Sequence, residues 1–238
     1  EKLEEAALFH FGYPPLMPEM YADNGAELVS LMKRAKAAGV ATSLDMAAVD
    51  ENAPAGQADW KEILKNVLPF VDFFVPSVEE LCFMLDRERF HEWQKRADGR
   101  DITEILDVEK DIRPLAEQCM EFGAKVLLIK CGVPGMYLRT ADKNSLEKTG
   151  SKAELSADVW SEKEIFEKSY VPDRVRSGTG AGDSSIAAFL TAMLEGCEPE
   201  EALHLAAATG ALGGLKPFDE LRAKIAAGWA KCQASLDA

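Results

Sequence analysis

The sequence has few histidines, no closely spaced pair of cysteines and no hydrophobic run of membrane-spanning length. Its 238 residues include only 3 histidines and 5 cysteines. The cysteines lie far apart without a C-x-x-C pair, which is typical of reduced, mostly buried thiols in a cytosolic protein rather than a disulfide framework. So few histidines do not favour a histidine-based metal site or catalytic triad. Without a signal peptide or a long apolar run, the cytoplasm is the predicted location.

Positive charge is also scarce. The 27 lysines and arginines stand against 41 aspartates and glutamates, which gives a formal net charge of −14. Because the sequence contains no basic patch, we expect neither nucleic acid nor an anionic membrane surface as a partner. The length is sufficient for one large α/β domain or two small ones, with a sizeable hydrophobic core.

Apolar segments alternate with helical patterns along the chain. Nearly continuous apolar strands are predicted at 8–11, 40–44, 71–75 and 124–130, and helices at 25–38 and 60–68. This alternation is typical of a mostly parallel sheet that is covered on both faces. Two charge-rich stretches, 86–101 and 142–168, are predicted to be surface excursions. The sequence contains no internal repeat.

The most informative segment is R-S-G-T-G-A-G-D-S-S, residues 176–185. Three glycines in five positions precede Asp183 and a helical pattern that ends near Gly196. A glycine loop before a helix lets backbone N–H groups converge on an anion, and Asp183 is placed to take a proton from an attacking hydroxyl. The alternative is a flexible turn in which Asp183 is an ordinary acid at a helix N-terminus.

The string S-G-T-G-A-G-D-S-S-I-A-A-F-L resembles the D-T-x-G-A-G-D-x-F signature of the ribokinase-like (PfkB-type) carbohydrate kinases. The resemblance implies that Gly180, Ala181 and Gly182 form an anion hole for the transferring phosphate. It also implies that Asp183 is the general base. We expect Gly182 to adopt a positive φ and to permit close approach of the phosphates.

Two positions of this segment depart from the family signature. Ser177 stands where the family has its first Asp, and Gly178 stands where the family has Thr. Any cation contact that the family makes at these positions is therefore in question here. Thr179, beside the anion hole, is assigned to ATP binding by the same resemblance.

Two further stretches support the resemblance. Gly132 and Gly135 form a G-x-x-G turn between two predicted strands, which in the family contributes to the nucleotide pocket. Ala207 lies in an alanine-rich helix similar to the one that packs beside the adenine, and Lys216 follows it; the resemblance assigns all four residues to ATP binding. By themselves, the turn is a common hairpin and the small residues suit tight helix packing.

Two acidic residues follow predicted strands. Ser77-x-x-Glu80 matches the family's N-x-x-E motif except for its Ser, and the resemblance implies that Glu80 orders magnesium through water. The same spacing is also a capping box, which needs no ligand. Asp45 stands where the family carries D-x-N-x-R, with Ala47 and Val49 in place of Asn and Arg. It is a candidate substrate contact or, alternatively, a turn former.

The resemblance implies an α/β fold, a ribokinase-like three-layer α/β/α sandwich with a mostly parallel central sheet. Residues 1–238 are expected to form a single partial domain, the nucleotide-binding and phosphoryl-transfer half. The family's N-terminal portion, with its lid sheet and sugar-binding surface, has no counterpart in the sequence. The implied reaction is ATP-dependent phosphorylation of a small carbohydrate hydroxyl with Mg²⁺. A monovalent cation and a homodimer are left open.

Two alternatives remain at this stage. The departures at Ser177 and Ser77, together with the missing substrate half, favour a non-catalytic nucleotide-binding pseudokinase. A kinase for a nucleoside or a vitamin precursor would keep the chemistry and change the acceptor. The intact Asp183 favours an active enzyme.

Overall fold

The computed structural model describes residues 2–173, 178–214 and 216–233. Its centre is a sheet whose six strands lie side by side in chain order. The strands are β1 (Leu8–Phe11), β2 (Ala41–Leu44), β3 (Phe73–Phe74), β4 (Val126–Lys130), β5 (Gly135–Thr140) and β6 (Glu164–Lys168). Strands β1 to β4 are parallel, whereas β5 and β6 each run antiparallel to the preceding strand.

Helices connect the strands and cover both faces of the sheet. They are α1 (Lys2–Glu5), α2 (Pro18–Tyr21), α3 (Ala26–Ala37), α4 (Trp60–Val67), α5 (Val78–Leu85), α6 (Arg87–Ala97), α7 (Arg113–Glu121), α8 (Lys143–Leu146), α9 (Ala157–Trp160), α10 (Ala181–Leu194), α11 (Pro199–Leu212) and α12 (Phe218–Ala226). None of the helices in the described part of the chain has the length and apolar character needed to cross a membrane.

The side chains of each strand alternate between two hydrophobic cores. Phe74 and Leu127 pack in one core with helices α3 to α7, while Phe73 and Leu128 pack in the other with α10 to α12. Because successive strand residues point to opposite faces, nearly continuous apolar strands supply both cores at once. This is the predicted three-layer α/β/α sandwich with a mostly parallel sheet.

Strand β1 is the edge strand of the sheet and is only partly buried, with His10 exposed. The prediction for one other segment was wrong. The stretch 142–168 was predicted to be a surface excursion, yet its last five residues form β6 along β5. Only one residue of strand β6, Glu167, is buried, and three of its five residues are charged. Its sequence therefore lacks the run of apolar residues by which the other strands were predicted.

A buried ion network joins several elements at the amino-terminal end of the parallel strands. The Asp72 carboxylate is fully buried and accepts hydrogen bonds from Lys36 Nζ at 2.8 and 2.9 Å and from the Thr42 amide at 3.1 Å. Lys125 Nζ lies 3.2 Å away, and burial lowers the pKa of that ammonium. The carboxylate is thus satisfied from several directions, as a buried charge requires.

Candidate active site

A cleft of about 890 Å³ opens at the carboxyl ends of the parallel strands. Each of these four strands brings a polar side chain to it: Tyr13 follows β1, Asp45 follows β2, Glu80 follows β3 and Lys130 ends β4. The other wall comes from the loop before α10 and from α11. Ligands in open α/β sheets collect at this edge because the strand ends leave a crevice there.

The glycine-rich segment leads directly into helix α10, as predicted. Gly180 is the N-cap residue with φ +80°, and the first bond of the helix runs from the Ser184 N–H to the Gly180 carbonyl at 2.9 Å. The Ala181 N–H donates to the Gly178 carbonyl at 3.1 Å, which closes a turn. The other amides of the first helical turn have no acceptor inside the helix, which leaves them available to an anion in the cleft.

The expectation of a positive φ at Gly182 was wrong, because this residue already belongs to α10 and Gly180 takes the left-handed conformation instead. The absence of a side chain at Gly182 matters for a different reason, because the Lys130 side chain lies next to this position. A Cβ at Gly182 would lie 3.7 Å from Lys130 Cδ and 3.9 Å from Lys130 Nζ. The lysine ammonium therefore lies against the first turn of α10. Ser177 lies outside the described residues.

Lys130 reaches this position along an ion pair with Asp45. Its Nζ donates to Asp45 Oδ1 at 2.9 Å and to Oδ2 at 3.1 Å, and the two side chains are 13% and 3% exposed. The Asp45 N–H donates to the Phe11 carbonyl at 3.0 Å, which fixes the start of the loop after β2. The ammonium therefore lies between a buried carboxylate and the proposed anion hole.

Burial and charge act in opposite directions on Asp45. Burial raises the pKa of its carboxyl to about 6, while the ammonium of Lys130 pulls that pKa down less strongly. The pKa of His10, whose ring is partly shielded from water although the residue is on the exposed edge strand, is lowered by that desolvation and then by the Lys130 charge, whereas Asp183 acts to raise it. The positive charge of Lys130 thus lowers the pKa values of both Asp45 and His10.

Asp183 lies in the first turn of α10 and lines the cleft. Its Oδ1 accepts a hydrogen bond from the hydroxyl of Tyr13, a residue 170 positions away in the sequence. This bond is the largest of the causes that raise the pKa of Tyr13 to about 12. The phenol is therefore a donor over the whole physiological range, and the carboxylate is the acceptor.

Glu80 forms the capping box that the sequence allowed. Its Oε2 accepts from the Ser77 N–H at 2.9 Å, and its own N–H donates to Ser77 Oγ at 3.4 Å. Glu80 also lines the cleft beside Lys130 and Asp45. The capping role is confirmed, and it leaves the second carboxylate oxygen for another partner.

The donor set of the cleft suits a magnesium ion that is held mainly by phosphates. Within the described ranges, no three His, Cys, Asp or Glu residues are grouped to hold a metal by themselves. Mg²⁺ is commonly bound through one or two carboxylates with phosphate oxygens and water. Glu80 provides such a carboxylate at this edge of the sheet, so the residues present fit an ion that is held mainly by a nucleotide.

The predicted ATP-binding glycines both line the cleft, and both are also needed by the hairpin. Gly135 has φ +145°, and a Cβ there would lie 2.0 Å from the Glu167 carbonyl oxygen. Gly132 has φ +63°, and a Cβ would lie 2.8 Å from Thr103 Oγ1. Their hairpin role is thus shown, and nucleotide contact stays a prediction.

The remaining predicted ATP-binding residues divide into two groups. Thr179 and Ala207 line the cleft, the latter on the face of α11 that packs on α10. That packing is close, since a Cβ at Gly210 would lie 2.4 Å from Ser185 Oγ. Lys216 is not among the described residues that line the cleft, and its exposed ammonium lies 3.8 Å from Glu220.

Sequence reasoning missed Tyr13 and Lys130. Lys130 ends an apolar strand directly before the G-x-x-G turn, so a charged residue at a strand end beside a ligand turn was a usable signal. Tyr13 had no comparable signal, because its contact with Asp183 depends entirely on the fold.

Comparison with known proteins decides the family. The sequence profile described as "pfkB family carbohydrate kinase" matches residues 2–214. The chain belongs to this family. A search of curated protein sequences gives no match.

Solved structures of the same family share the fold. A putative ribokinase II from E. coli, in complex with ATP and Mg²⁺, has 19% identity and a TM-score of 0.62; the match covers 95% of this chain and 60% of that chain. A fructokinase with bound ATP from Xylella fastidiosa has 20% identity and a TM-score of 0.57; the match covers 95% of this chain and 63% of that chain. The nucleoside kinase of Methanocaldococcus jannaschii has 18% identity and a TM-score of 0.52; the match covers 93% of this chain and 56% of that chain. The pfkB-family chain thus spans 56–63% of the length of these relatives.

The ion pair gives a test by titration. In protein labelled with ¹³C at aspartate carboxyl carbons, Asp45 should titrate with a midpoint near pH 6 rather than 3.8. Protonation of Asp45 therefore stabilises the fold, and this contribution is lost as the pH rises through 6. Lys130→Met should raise the midpoint further, because the ammonium favours the ionised form. A wild-type midpoint near 4, or a fall in the variant, would contradict this electrostatic assignment.

Proposed function

We propose that this pfkB-family chain supplies the nucleotide-binding and phosphoryl-transfer half of an ATP-dependent carbohydrate kinase. The observation that carries the proposal is the convergence of Lys130, Asp183 and the glycine turn of α10 at one end of the cleft. An ammonium, amides at a helix start and a carboxylate together suit a transferring phosphoryl group and an attacking hydroxyl.

Each of these groups has a distinct part in the proposed reaction. The amides of Gly180 and Gly182 receive the phosphoryl oxygens, and Lys130 neutralises the charge that spreads over them. The Ala181 amide joins this anion hole only by leaving the Gly178 carbonyl, to which it donates in the structure. Asp183 accepts the proton of the acceptor hydroxyl as its oxygen bonds to the γ-phosphorus. The bond from that phosphorus to the β,γ-bridging oxygen breaks, and ADP leaves with the bridging oxygen. Glu80 would hold Mg²⁺ through water, and the ion would supply neutralisation of the phosphate charge.

The nucleotide is expected along the G-x-x-G turn and helix α11. Gly132, Gly135, Thr179 and Ala207 all line the cleft. The acceptor would then approach from the side of β1 and β2, where Asp45 is a candidate contact. A solved relative in complex with ATP and Mg²⁺ and a second with bound ATP support this choice of donor.

Two alternatives keep part of this account. A nucleoside acceptor would leave the phosphoryl-transfer chemistry unchanged, and one solved relative is a nucleoside kinase. A non-catalytic nucleotide-binding protein would retain the cleft without needing Asp183. The position of Asp183 beside the glycine turn favours an active enzyme over that second alternative.

The role of Asp183 is tested by Asp183→Asn in the full-length protein. The amide keeps the shape of the side chain and removes the proton acceptor, so phosphorylation across a panel of sugars and nucleosides should fall by roughly 10²–10⁴-fold. Calorimetric affinity for ATP should remain close to wild type. The matched control is Asp219→Asn in α12, whose side chain is almost fully exposed. Activity retained in Asp183→Asn would rule out the general-base assignment.

The role of Glu80 is tested by Glu80→Gln. Glutamine keeps the capping box, so the melting temperature should not change, but it removes the negative charge. If Glu80 orders magnesium, the magnesium concentration for half-maximal activity should rise and kcat should fall. Glu88→Gln, in the first turn of α6, is the control for charge removal near a helix start. An unaltered magnesium titration would leave Glu80 a capping residue only.

A further inference from the structure

The hydrogen bond between Tyr13 and Asp183 carries an inference that rests on the proposed function and extends it. Asp183 is the proposed acceptor of a hydroxyl proton, and in this structure a hydroxyl already donates to its Oδ1. That hydroxyl comes from the loop after β1, on the side of the cleft where the acceptor is expected. The phenol thus occupies the position of an acceptor hydroxyl on the base.

The backbone holds Tyr13 in this place. Its φ of +63° and ψ of +42° lie in the left-handed region, which is uncommon for a bulky residue. Pro14 and Pro15 follow at once, are buried, and begin a short 3₁₀ turn in which the Leu16 N–H donates to the Tyr13 carbonyl at 3.0 Å. A residue in a disfavoured conformation persists where the surrounding structure determines it. The aromatic ring is therefore directed at Asp183 by a fixed segment.

The ring itself is not enclosed. Tyr13 is 40% exposed and the neighbouring Leu16 is 68% exposed. A side-chain rotation toward solvent would thus free Asp183 without moving the buried prolines. The pKa of Tyr13, raised to about 12, keeps its hydroxyl protonated, so the phenol donates to the carboxylate and does not act as a base.

We propose that Tyr13 guards the catalytic base: its hydroxyl holds the acceptor's place on Asp183 and excludes water until a substrate hydroxyl displaces it. A kinase must prevent water from taking the phosphoryl group, because water is the most abundant competing nucleophile. The Tyr13 hydroxyl keeps water off Asp183 by making the same hydrogen bond to the carboxylate that the substrate hydroxyl later makes. The acceptor hydroxyl can bond to Asp183 only when it displaces the Tyr13 hydroxyl, which is a hydrogen-bond donor of the same kind.

The substitution Tyr13→Phe removes the guard hydroxyl and keeps the ring. The vacated volume beside Asp183 suits one water molecule, which would donate to the carboxylate as the phenol did. Water then attacks the γ-phosphorus, its proton passes to Asp183, and the bond to the bridging oxygen breaks to give ADP and inorganic phosphate. Without any sugar, hydrolysis of MgATP should rise about tenfold, the factor expected when a competing hydrogen bond to a charged group is lost.

Three further variants make the measurement specific. Tyr21→Phe removes a phenol hydroxyl from α2, where the ring packs on Trp60, and should hydrolyse MgATP at the wild-type rate. The double variant Tyr13→Phe with Asp183→Asn should lose the increase, because the water has no base. Asp183→Asn alone should also alter the ¹³Cζ resonance of Tyr13 in tyrosine-labelled protein, which reports the contact without requiring turnover.

The outcomes separate the guard from the proposed function. If the full-length protein phosphorylates a sugar through Asp183 but Tyr13→Phe hydrolyses no more ATP than wild type, the guard is refuted and the kinase stands. An Asp183-dependent rise in hydrolysis without transfer to any sugar or nucleoside supports the guard and refutes the carbohydrate acceptor. Phosphate found on Tyr13 itself by mass spectrometry, or an unchanged ¹³Cζ resonance in Asp183→Asn, would overturn the guard.

Discussion

A lysine ammonium held between a buried carboxylate and the start of a helix is the interaction on which the cleft depends. Lys130 at the end of β4 reaches past β3 to Asp45 after β2, and its Nζ lies against Gly182 of α10. The side chain spans three elements that are far apart in the sequence. Because both side chains are largely buried, removal of Lys130 would leave the Asp45 carboxylate without a charge partner, and the carboxyl would be protonated more readily. The pair therefore fixes the geometry of the proposed phosphoryl site as well as its charge.

The sheet makes this arrangement available. Four parallel strands end at one edge, so the residues that follow them meet although they are separated by roughly thirty to fifty positions in the chain. Helix α10 then brings its N-terminus and Asp183 to the same edge from the other face. An acidic protein with a net charge of −14 can bind a polyanion here, because the ammonium and the helix amides provide local positive potential.

Much of the fold could be predicted from the sequence, because apolar strands such as those around Leu44 and Leu127 have an unambiguous pattern. The glycine turn before α10 and the place of Asp183 in its first turn could be predicted for the same reason, since their signal is local. The roles of Tyr13 and Lys130 could not be predicted from the sequence, because they depend on contacts between residues that are far apart in the chain. The positive φ was predicted for Gly182 but is found at Gly180, because three closely spaced glycines do not reveal where the helix begins.

In the proposed function, Lys130 and the first turn of α10 bind the phosphoryl group that is transferred. The most direct test compares the calorimetric affinity of wild type and Lys130→Met for MgADP and for a non-hydrolysable MgATP analogue. Affinity for the analogue should fall about tenfold or more, while affinity for MgADP should change little, because the ammonium is placed for the γ-phosphoryl group. Equal losses for both nucleotides, or no loss for either, would contradict the account.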